Sequence, residues 1–349
     1  IISGRGAKSS DLYQKADSRA AKGMGLMFAV GRGEEDEIPL VLLPLVTVST
    51  WATHLFGGSA GREGVAVQLG ATISHAFSRF ISFENSSRLF LVIGMAAGFA
   101  GLFQTPLAAV FFGLEILVLG KLQLVALLPM TVASFVASTT SHLLGLEKFS
   151  HFVDVSLNLD IFLFFKLALL GIIFGLVGNA FAAFLAFSKE KAKEVFANPY
   201  YRILFGGIFL SLLFLMFFNG RYSGLGTNLI AASFSGGDIH IYDWLLKLIF
   251  TAATLAIGFQ GGEVTPLFAI GASLGVVLAK IFGLPVEFVA AAGYISVFGS
   301  ATNTLLAPIF IGGEVFGFAN LPYFTLVMIF AYSLNRRNSI YTGQEVLSF

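Results

Sequence analysis

The chain has 349 residues, of which 56% are hydrophobic and 12% are charged, and its 21 basic and 20 acidic side chains nearly cancel. Soluble domains carry about 25% charged residues, so the composition excludes a cytosolic enzyme, a disordered chain and a nucleic-acid-binding protein. A polytopic helical membrane protein remains.

The first 22 residues form a basic segment without an apolar core of the length that a secretory signal needs. Since the sequence opens on Ile1 rather than Met, we expect the natural protein to continue upstream, with room for one more membrane helix. The charged residues of this segment are Arg5, Lys8, Lys15, Arg19 and Lys22, against Asp11 and Asp17.

Ten apolar stretches follow along the chain. A straight crossing of a bilayer needs about 20 apolar residues, and several stretches are shorter, while the longest are interrupted by glycine or proline. Gly94, Gly98, Gly101 and Pro106 are expected to break the stretch at 89–119. Helices that break at membrane depth mark binding sites in transporters. The stretches are 38–56, 64–81, 89–119, 122–146, 160–187, 201–219, 244–259, 265–283, 286–318 and 321–334.

Two segments of the chain are similar. Residues 94–116 (GMAAGFAGLFQTPLAAVFFGLEI) and residues 293–315 (GYISVFGSATNTLLAPIFIGGEV) are identical at 8 of 23 positions. Two pseudo-symmetric halves with a site where they meet are therefore expected, although similarity alone does not decide between parallel and inverted copies. The identical pairs include Gly94/Gly293, Thr105/Thr304, Phe111/Phe310 and Glu115/Glu314, with a weaker echo at Gly61/Gly262 and Gly70/Gly271.

The boundary between the halves is predicted at a polar loop, residues 188–198, which gives halves 1–187 and 188–349 within one membrane domain. Orientation follows from basic residues, which collect on the cytoplasmic side of membrane proteins. We expect the N-terminal segment, the lysine cluster of the polar loop and the pair near the C-terminus in the cytoplasm. These basic residues are Lys189, Lys191, Lys193, Arg336 and Arg337.

The sequence GGSAGREG at 57–64 runs into an apolar helix. The free N–H groups and positive dipole end of such a helix start form an anion site, and the Glu63 carboxylate can occupy that site itself. A charged carboxylate at membrane depth is costly, so Glu63 is expected to take a proton readily or to pair. It would then alternate between filling the site and yielding it to an anion. A capping glutamate paired with Arg62 is the structural alternative.

A second segment of this kind, GFQGGEVTPL at 258–267, lies in the other half. Glycine followed by Pro266 is typical of a helix N-terminus, which places Glu263 and Thr265 in the first turn. Capping, with Thr265 as N-cap and Glu263 as partner of the helix dipole, is again the alternative. One such glutamate in each half favours a functional role.

Met24 and Tyr341 are weaker candidates. Met24 lies in the glycine-flanked sequence GMGLMF at 23–28, which taken alone is best explained as a loop. Tyr341 follows the last apolar stretch, where a tyrosine usually belongs to the membrane interface, although its hydroxyl could donate to an anion.

The remaining polar residues are assigned structural roles. Glu115 and Glu314 are expected to fix helix packing, and Lys166, Lys247 and Lys280 to extend their ammonium groups to the membrane surface. Neither a metal nor a cofactor is expected, because the chain has no cysteine, no nucleotide-binding loop and no metal-ligand spacing among its histidines. These histidines are His54, His75, His142, His151 and His240.

Together these segments resemble the CLC family of chloride channels and anion/proton exchangers. That family carries G-S-G-I-P, G-[KR]-E-G-P and G-x-F-x-P loops, a late tyrosine and an inverted repeat. The matching stretches here are GMGLM at 23–27, GREGV at 61–65, GEVTP at 262–266, and Tyr341. The resemblance implies an all-α polytopic membrane protein with broken and tilted helices in two inverted-topology halves, assembled as a homodimer.

Departures from the family pattern point to one branch of it. Met24 stands where the family has an anion-coordinating Ser, Val65 replaces the Pro after the gating glutamate, and Val264, preceded by Glu263, replaces the Phe of the third loop. These changes are similar to the fluoride/proton antiporter branch, in which a Met replaces the Ser and a Glu and a Thr occur in the third loop.

Two further positions differ from relatives. The branch has a Phe pair beside the ion path, and the corresponding positions here are Met27 and Val30, with Phe28 close by. The chloride/proton exchangers have an inner proton-relay glutamate where this chain has Ile116, so the resemblance implies a different proton path.

The resemblance implies that Glu63 gates the anion site and carries the proton, and that Glu263 is a second proton-linked carboxylate. Fluoride is small and strongly hydrated, so hydroxyl and backbone donors must replace its water. The expected function is export of fluoride in exchange for protons, without enzymatic activity, by a multi-pass protein of the cell membrane that binds no nucleic acid. The residues implied to line the anion path are Met24, Gly64, Val65, Val264, Thr265 and Tyr341.

Three alternatives stay open. A chloride channel or chloride/proton exchanger is disfavoured by Met24 and Glu263. An intramembrane aspartyl protease needs Asp residues in two apolar helices, whereas Asp238 and Asp243 lie in a polar, glycine-rich loop. A sodium-coupled solute carrier also uses broken helices, but it would not need the GREG sequence.

Overall fold

The computed structural model describes residues 19, 22–81, 83, 85–334 and 338–346. In this part of the chain fourteen α-helices and one pair of short parallel strands are found. The first helices are α1 (Met24–Arg32), α2 (Leu42–Leu55), α3 (Glu63–Ser78), α4 (Ser86–Phe103), α5 (Pro106–Glu115), α6 (Leu127–Leu143) and α7 (Ile161–Val195). The later helices are α8 (Pro199–Met216), α9 (Thr227–Ser235), α10 (Asp243–Ala256), α11 (Val264–Phe282), α12 (Val286–Thr302), α13 (Leu306–Phe316) and α14 (Leu321–Ser333). The strands are β1 (Val118–Leu119) and β2 (Glu345–Val346).

Five helical segments are long and apolar enough to cross a membrane, judged by length and composition. They contain α4, α6, α7, α8 and α11, and several shorter apolar helices lie among them. The prediction of an all-α membrane protein built from full and broken helices is confirmed. Of the basic residues expected in the cytoplasm, Arg5, Lys8, Lys15, Arg336 and Arg337 lie outside the described residues.

Both predicted long stretches break at corresponding positions. The break between α4 and α5 falls at Gln104 (φ 53°), and the break between α12 and α13 falls at Asn303 (φ 55°), 199 positions later. Pro106 follows the first break at the start of α5, where proline is tolerated. The expectation that Gly94, Gly98 and Gly101 interrupt the helix is wrong, because α4 runs through all three.

The glycines instead allow helices to pack at backbone contact. A Cβ on Gly94 would collide with the backbone of Gly70, so α3 and α4 touch through these two residues. In the second half Gly293 and Gly271 bring α12 and α11 together in the same way. Side chains of any size would push such helices apart. The repeated arrangement confirms the internal repeat found in the sequence.

Two buried glutamates connect the halves reciprocally. Glu115, at the end of α5, accepts hydrogen bonds from the amides of Leu305, Leu306 and Ala307 at the start of α13, at 2.8–3.1 Å. Glu314, in α13, accepts from the amides of Leu107 and Ala108 at the start of α5, at 3.1 and 2.9 Å. Each carboxylate thus satisfies the free N–H groups at the start of its counterpart helix.

The aromatic twins Phe111 and Phe310 stack between the same two helices, with ring centroids 4.2 Å apart. Because each of these contacts has a counterpart in the other half, a local two-fold axis relates the halves. The prediction that Glu115 and Glu314 fix helix packing is confirmed.

The predicted loop at 188–198 is mostly helical. The helix α7 continues to Val195, because Ala, Lys and Glu favour helix and Lys191 pairs with Glu194 one turn later at 2.6 Å. The helix therefore runs across the position at which the sequence places the boundary between the halves, and that boundary stays a prediction.

Gly275 tests the close approach of α11 and α12. A Cβ there would lie 2.5 Å from the Val289 carbonyl oxygen and 2.6 Å from the Ala290 Cα atom. We expect Gly275→Ala to destabilise the protein by about 2 kcal/mol through overpacking, seen as a lower Tm in detergent. Gly101→Ala is the matched control, since its nearest foreign atom would be 3.9 Å away and Ala favours helix. Equal Tm values for both variants would contradict this packing.

Candidate functional site

The starts of α3 and α11 meet through the repeat twins Gly61 and Gly262. The Gly61 amide donates to the Gly262 carbonyl at 2.6 Å, and the Gly262 amide donates to the Gly61 carbonyl at 2.8 Å, as in a single antiparallel β-bridge. The first N–H groups of a helix have no carbonyl partner within it. The bridge therefore places two sets of free amide donors, with the positive ends of two helix dipoles, beside each other.

The Glu63 carboxylate occupies this junction and leaves no room for a side chain on either glycine. A Cβ on Gly61 would collide with the Glu63 carboxylate. A Cβ on Gly262 would lie 2.6 Å from Glu63 Oε2 and 2.9 Å from the amide nitrogens of Glu63 and Gly64. The absence of two side chains therefore leaves the space in which the carboxylate sits.

Glu63 is 1% exposed. Its Oε1 accepts a hydrogen bond from the Thr265 hydroxyl in the first turn of α11, and its buried Oε2 has no partner among the described residues. Arg62 is exposed, and no Arg62–Glu63 ion pair is found in the part of the chain that the structure covers. The interpretation of Glu63 as a capping residue paired with Arg62 is therefore wrong.

Thr265 and Glu263 do not act as simple caps either. Glu263 occupies the N-cap position of α11, without a side-chain capping bond, and the Thr265 hydroxyl points across to Glu63. The Glu263 side chain is 16% exposed, and its Oε1 lies 4.0 Å from Lys189 Nζ on α7. The two carboxylates thus differ in surroundings: Glu63 is enclosed, whereas Glu263 faces a partly exposed lysine.

A cavity of about 310 Å³ reaches the junction from one side. Its walls include Glu63 and Thr265 at the inner end and the exposed Arg62 and Glu147 at the outer end. Thr105 also lines it, and the buried Thr105 hydroxyl has no partner among the described residues. The cavity therefore connects the enclosed carboxylate to the surface.

Tyr341 lies outside this cavity, packed among aromatic rings. It is 6% exposed, with its ring centroid 5.6 Å from that of Phe28 and 6.4 Å from that of Phe112. The interpretation of Tyr341 as a membrane-interface residue is therefore wrong, because the ring is buried inside the protein.

The segment of Met24 is a helix rather than the predicted loop. Gly23 precedes α1 with φ 53°, and Met24, partly buried, is its first residue. A Cβ on Gly23 would lie 4.0 Å from Gln68 Oε1 on α3, and one on Gly25 would lie 3.9 Å from the Thr342 carbonyl oxygen. The start of α1 therefore lies between α3 and the segment that carries Tyr341.

The other residues implied by the family resemblance lie near these helix starts. Val65 and Val264 belong to the first turns of α3 and α11, and Gly64 follows Glu63. On α1, Met27, Phe28 and Val30 are all at most 3% exposed, and Phe28 is the one whose ring packs on Tyr341. Ile116 is fully buried.

Polar anchors hold the segment at 338–346, which we term the C-terminal strap. Gln344 donates to the carbonyl of Ile116 at the end of α5 (3.0 Å) and to that of Thr302 at the end of α12 (3.2 Å). Arg32 donates to the Gly343 carbonyl, and β2 pairs with β1. These bonds fix the position of Tyr341 relative to both halves.

The sequence interpretation missed Lys247 and Gln68. Lys247 was expected at the membrane surface but is 0% exposed, with Nζ donating to Ser59 Oγ at 3.0 Å. Gln68 is 8% exposed, and its Oε1 is buried without a partner among the described residues. A lysine inside the apolar stretch 244–259 was the available signal for the first; a glutamine on a helix gives no comparable signal.

Asp243 is not part of a pair of catalytic aspartates. It is fully buried and accepts hydrogen bonds from Arg221 Nη2 at 2.7 Å, from the Tyr222 hydroxyl at 2.7 Å and from the His240 amide at 2.8 Å. Because both oxygens of this carboxylate already accept hydrogen bonds, it has a structural role. The protease alternative therefore gains no support.

Comparisons with known proteins agree on one family. A family model described as voltage-gated chloride channel matches residues 6–336. A chloride/fluoride channel protein of Pseudomonas syringae pv. tomato is 34% identical over 316 residues, which cover 88% of this chain and 70% of that protein.

Two solved structures are similar to this chain. A crystal structure of a CLC-type fluoride/proton antiporter is 58% identical, with a TM-score of 0.96 over 98% of this chain and 87% of that one. A slow cyanobacterial Cl⁻/H⁺ antiporter is 22% identical, with a TM-score of 0.79 over 98% and 84%, and this second likeness concerns the fold alone.

Gln344 tests the anchoring of the C-terminal strap. Leucine at this position removes the two hydrogen bonds that Gln344 Nε2 donates, each contributing about 1 kcal/mol, and a longer one of 3.5 Å that its Oε1 accepts from Asn303. We expect Gln344→Leu to accelerate hydrogen–deuterium exchange of the Ile340 and Glu345 amides about tenfold, because these amides bond to Ala301 and Leu117 only while the strap is docked. Gln260→Leu, in the loop before α11, is the control. Unchanged exchange in Gln344→Leu would contradict the anchoring.

Proposed function

We propose that this chain, which belongs to the voltage-gated chloride channel (CLC) family, is a fluoride/proton antiporter that exports fluoride from the cell in exchange for protons. It is a multi-pass integral membrane protein of the cell membrane, and a transporter rather than an enzyme. The proposal is supported by the likeness to the CLC-type fluoride/proton antiporter and by the chemistry of the helix junction.

The observation that carries the proposal is the position of the Glu63 carboxylate. It is buried at the meeting point of two helix starts, with one oxygen bonded to Thr265 and the other without a partner in the part of the chain that the structure describes. A carboxylate there stands where an anion would be held by the same donors. Since a carboxylate and a free anion cannot occupy one small site together, they must alternate.

Proton coupling follows from this alternation. When Glu63 takes a proton on its unpartnered Oε2 it becomes neutral and can leave, and fluoride enters. When fluoride leaves, Glu63 releases the proton and its carboxylate returns. We assign the second proton-linked position to Glu263, which adjoins Lys189, because Ile116 supplies no group that carries a proton.

The anion path is assigned to residues around the junction. The hydroxyls of Thr265 and Tyr341 and the amides at Gly64, Val65 and Val264 supply donors that can replace the hydration of fluoride. Met24 lines the path without donating, since a thioether is only a weak acceptor. Hydroxyl and amide donors that are fixed in position suit a small anion that must lose most of its water.

A chloride channel or chloride/proton exchanger is the second candidate, favoured by the chloride/fluoride name of the Pseudomonas relative. The two candidates share the fold and the gating carboxylate, and differ in the preferred anion. We further propose that the protein is a homodimer with one ion path in each subunit, and that its halves divide at 187/188.

Glu63 tests the coupling. We expect Glu63→Gln to lower fluoride-driven proton movement in proteoliposomes at least about 100-fold, which is the effect of losing a positioned proton-transfer group. Glutamine keeps the shape of the side chain but cannot take up and release a proton. Glu287→Gln, at a half-exposed glutamate beside His151, is the control and should exchange normally. Normal coupled flux in Glu63→Gln would remove Glu63 from the mechanism.

Thr265 and Glu263 test the rest of the site. We expect Thr265→Ala to slow fluoride turnover about tenfold, the effect of one hydrogen bond to a charged group, whereas Thr265→Ser keeps the hydroxyl and most of the rate. Glu263→Ala should also impair turnover far more than folding. Gel filtration of each variant measures the folded dimer, and a loss of dimer equal to the loss of turnover would give both residues a structural role only.

A further inference from the structure

Lys247, on α10, is a buried cation that the transport cycle described above does not use. Its side chain is 0% exposed, in a protein whose membrane-embedded charges are costly unless paired. Its ammonium donates to Ser59 Oγ at 3.0 Å, to the Tyr222 carbonyl at 3.1 Å and to the Gly224 carbonyl at 2.8 Å. All three acceptors are neutral, so they satisfy its hydrogen bonds but leave its charge uncompensated.

No carboxylate of the described residues lies within 4.0 Å of this ammonium. Asp243, one helical turn earlier on α10, is occupied by Arg221 and Tyr222. The loop that Lys247 contacts leads to the carboxylate of Glu63, four residues after Ser59. An ion in a low-dielectric interior acts over longer distances than one in water, so the two charges influence each other without contact.

The contacts of Lys247 place it directly behind the helix junction. Ser59 belongs to the loop at 57–61 that leads into Glu63, and it also bonds to Thr251 at 2.9 Å and Thr254 at 3.2 Å on α10. Gly224 donates its amide to the Gly58 carbonyl at 3.0 Å. Lys247 therefore links the loop at 57–61 to the loop before α9. It lies behind the helix junction and is not among the residues that line the cavity.

We propose that Lys247 is the fixed counter-charge of the anion site, balanced by the Glu63 carboxylate when that side chain fills the site and by the transported anion when Glu63 is protonated and displaced. This proposal deepens the proposed function and rests on it. The site then carries one negative charge in both states, because two anions would exceed the single buried cation and none would leave it unbalanced. Lys247 acts at a distance and is a positioning residue, without contact to the anion.

Other ionisable groups on the elements around Glu63 and Lys247 stay in place in the test. They are His54 on α2, Arg62 beside Glu63, Glu263 before α11, Tyr294 on α12 and Tyr341 in the strap. Since none of them is changed, a difference between variants comes from the side chain at position 247 itself.

The test compares Lys247→Met, which removes the charge, with Lys247→Arg, which keeps it. Initial rates of anion uptake into proteoliposomes are measured against anion concentration, for fluoride and for chloride, over a range of pH. We expect Lys247→Met to raise the half-saturating concentration about tenfold (~1.4 kcal/mol). We also expect the pH of half-maximal turnover to move upward, because Glu63 keeps its proton more easily without a nearby cation.

Lys247→Arg should retain most of the affinity. Lys166→Met is the matched control, because Lys166 also donates to a backbone carbonyl, that of Phe282 at 2.7 Å, and lies at the opposite end of α7 from Lys189. In the Glu63→Gln background the loss of affinity should persist while the pH shift disappears, which a purely structural role of Lys247 would not produce.

Wild-type affinity and pH profile in folded Lys247→Met would overturn the proposal. Should that variant fail to fold, Lys247→Gln decides: it removes the charge but keeps a side-chain donor for the same neutral acceptors, so a tenfold loss of affinity supports the counter-charge and wild-type affinity contradicts it. A wild type that prefers chloride would contradict the proposed fluoride function but leave this test decisive, since the expected loss applies to whichever anion is transported.

Discussion

The structure depends on burying one carboxylate where two helices begin. Glu63 is 1% exposed and, among the described residues, receives one side-chain hydrogen bond, from Thr265. The positive ends of the two helix dipoles favour a negative group at this place in an apolar interior. Gly61 and Gly262 make this possible, because their reciprocal hydrogen bonds bring the two starts together and their missing side chains leave room for the carboxylate.

The two-fold relation between the halves explains how the helices around the junction are held together. Glu115 and Glu314 each satisfy the first amides of the counterpart helix, so α5 and α13 hold each other in register. Close glycine contacts fix α3 on α4 and α11 on α12. The symmetry is broken among the described residues: Glu63 of the first half lies inside the junction, whereas Glu263 of the second half lies 4.0 Å from Lys189, and Tyr341 comes from the C-terminal strap.

The sequence predicted the broken helices, the repeat and the two glutamate-bearing helix starts, because glycine, proline and charged residues in apolar stretches have strong local signals. It did not predict that Gly94 and Gly98 pack helices instead of ending them, since that depends on a partner helix distant in sequence. Lys247 was assigned to the surface for the same reason: its acceptors come from loops near residues 59 and 222 that only the fold brings together.

The central claim is that protons and fluoride move in opposite directions through one site in each subunit. The most direct measurement is fluoride efflux from liposomes that contain the wild-type protein, with and without an opposing proton gradient. We expect an inward proton gradient to drive fluoride out against its own concentration gradient. Fluoride that flows only down its own gradient, at a rate independent of the proton gradient, would contradict the claim.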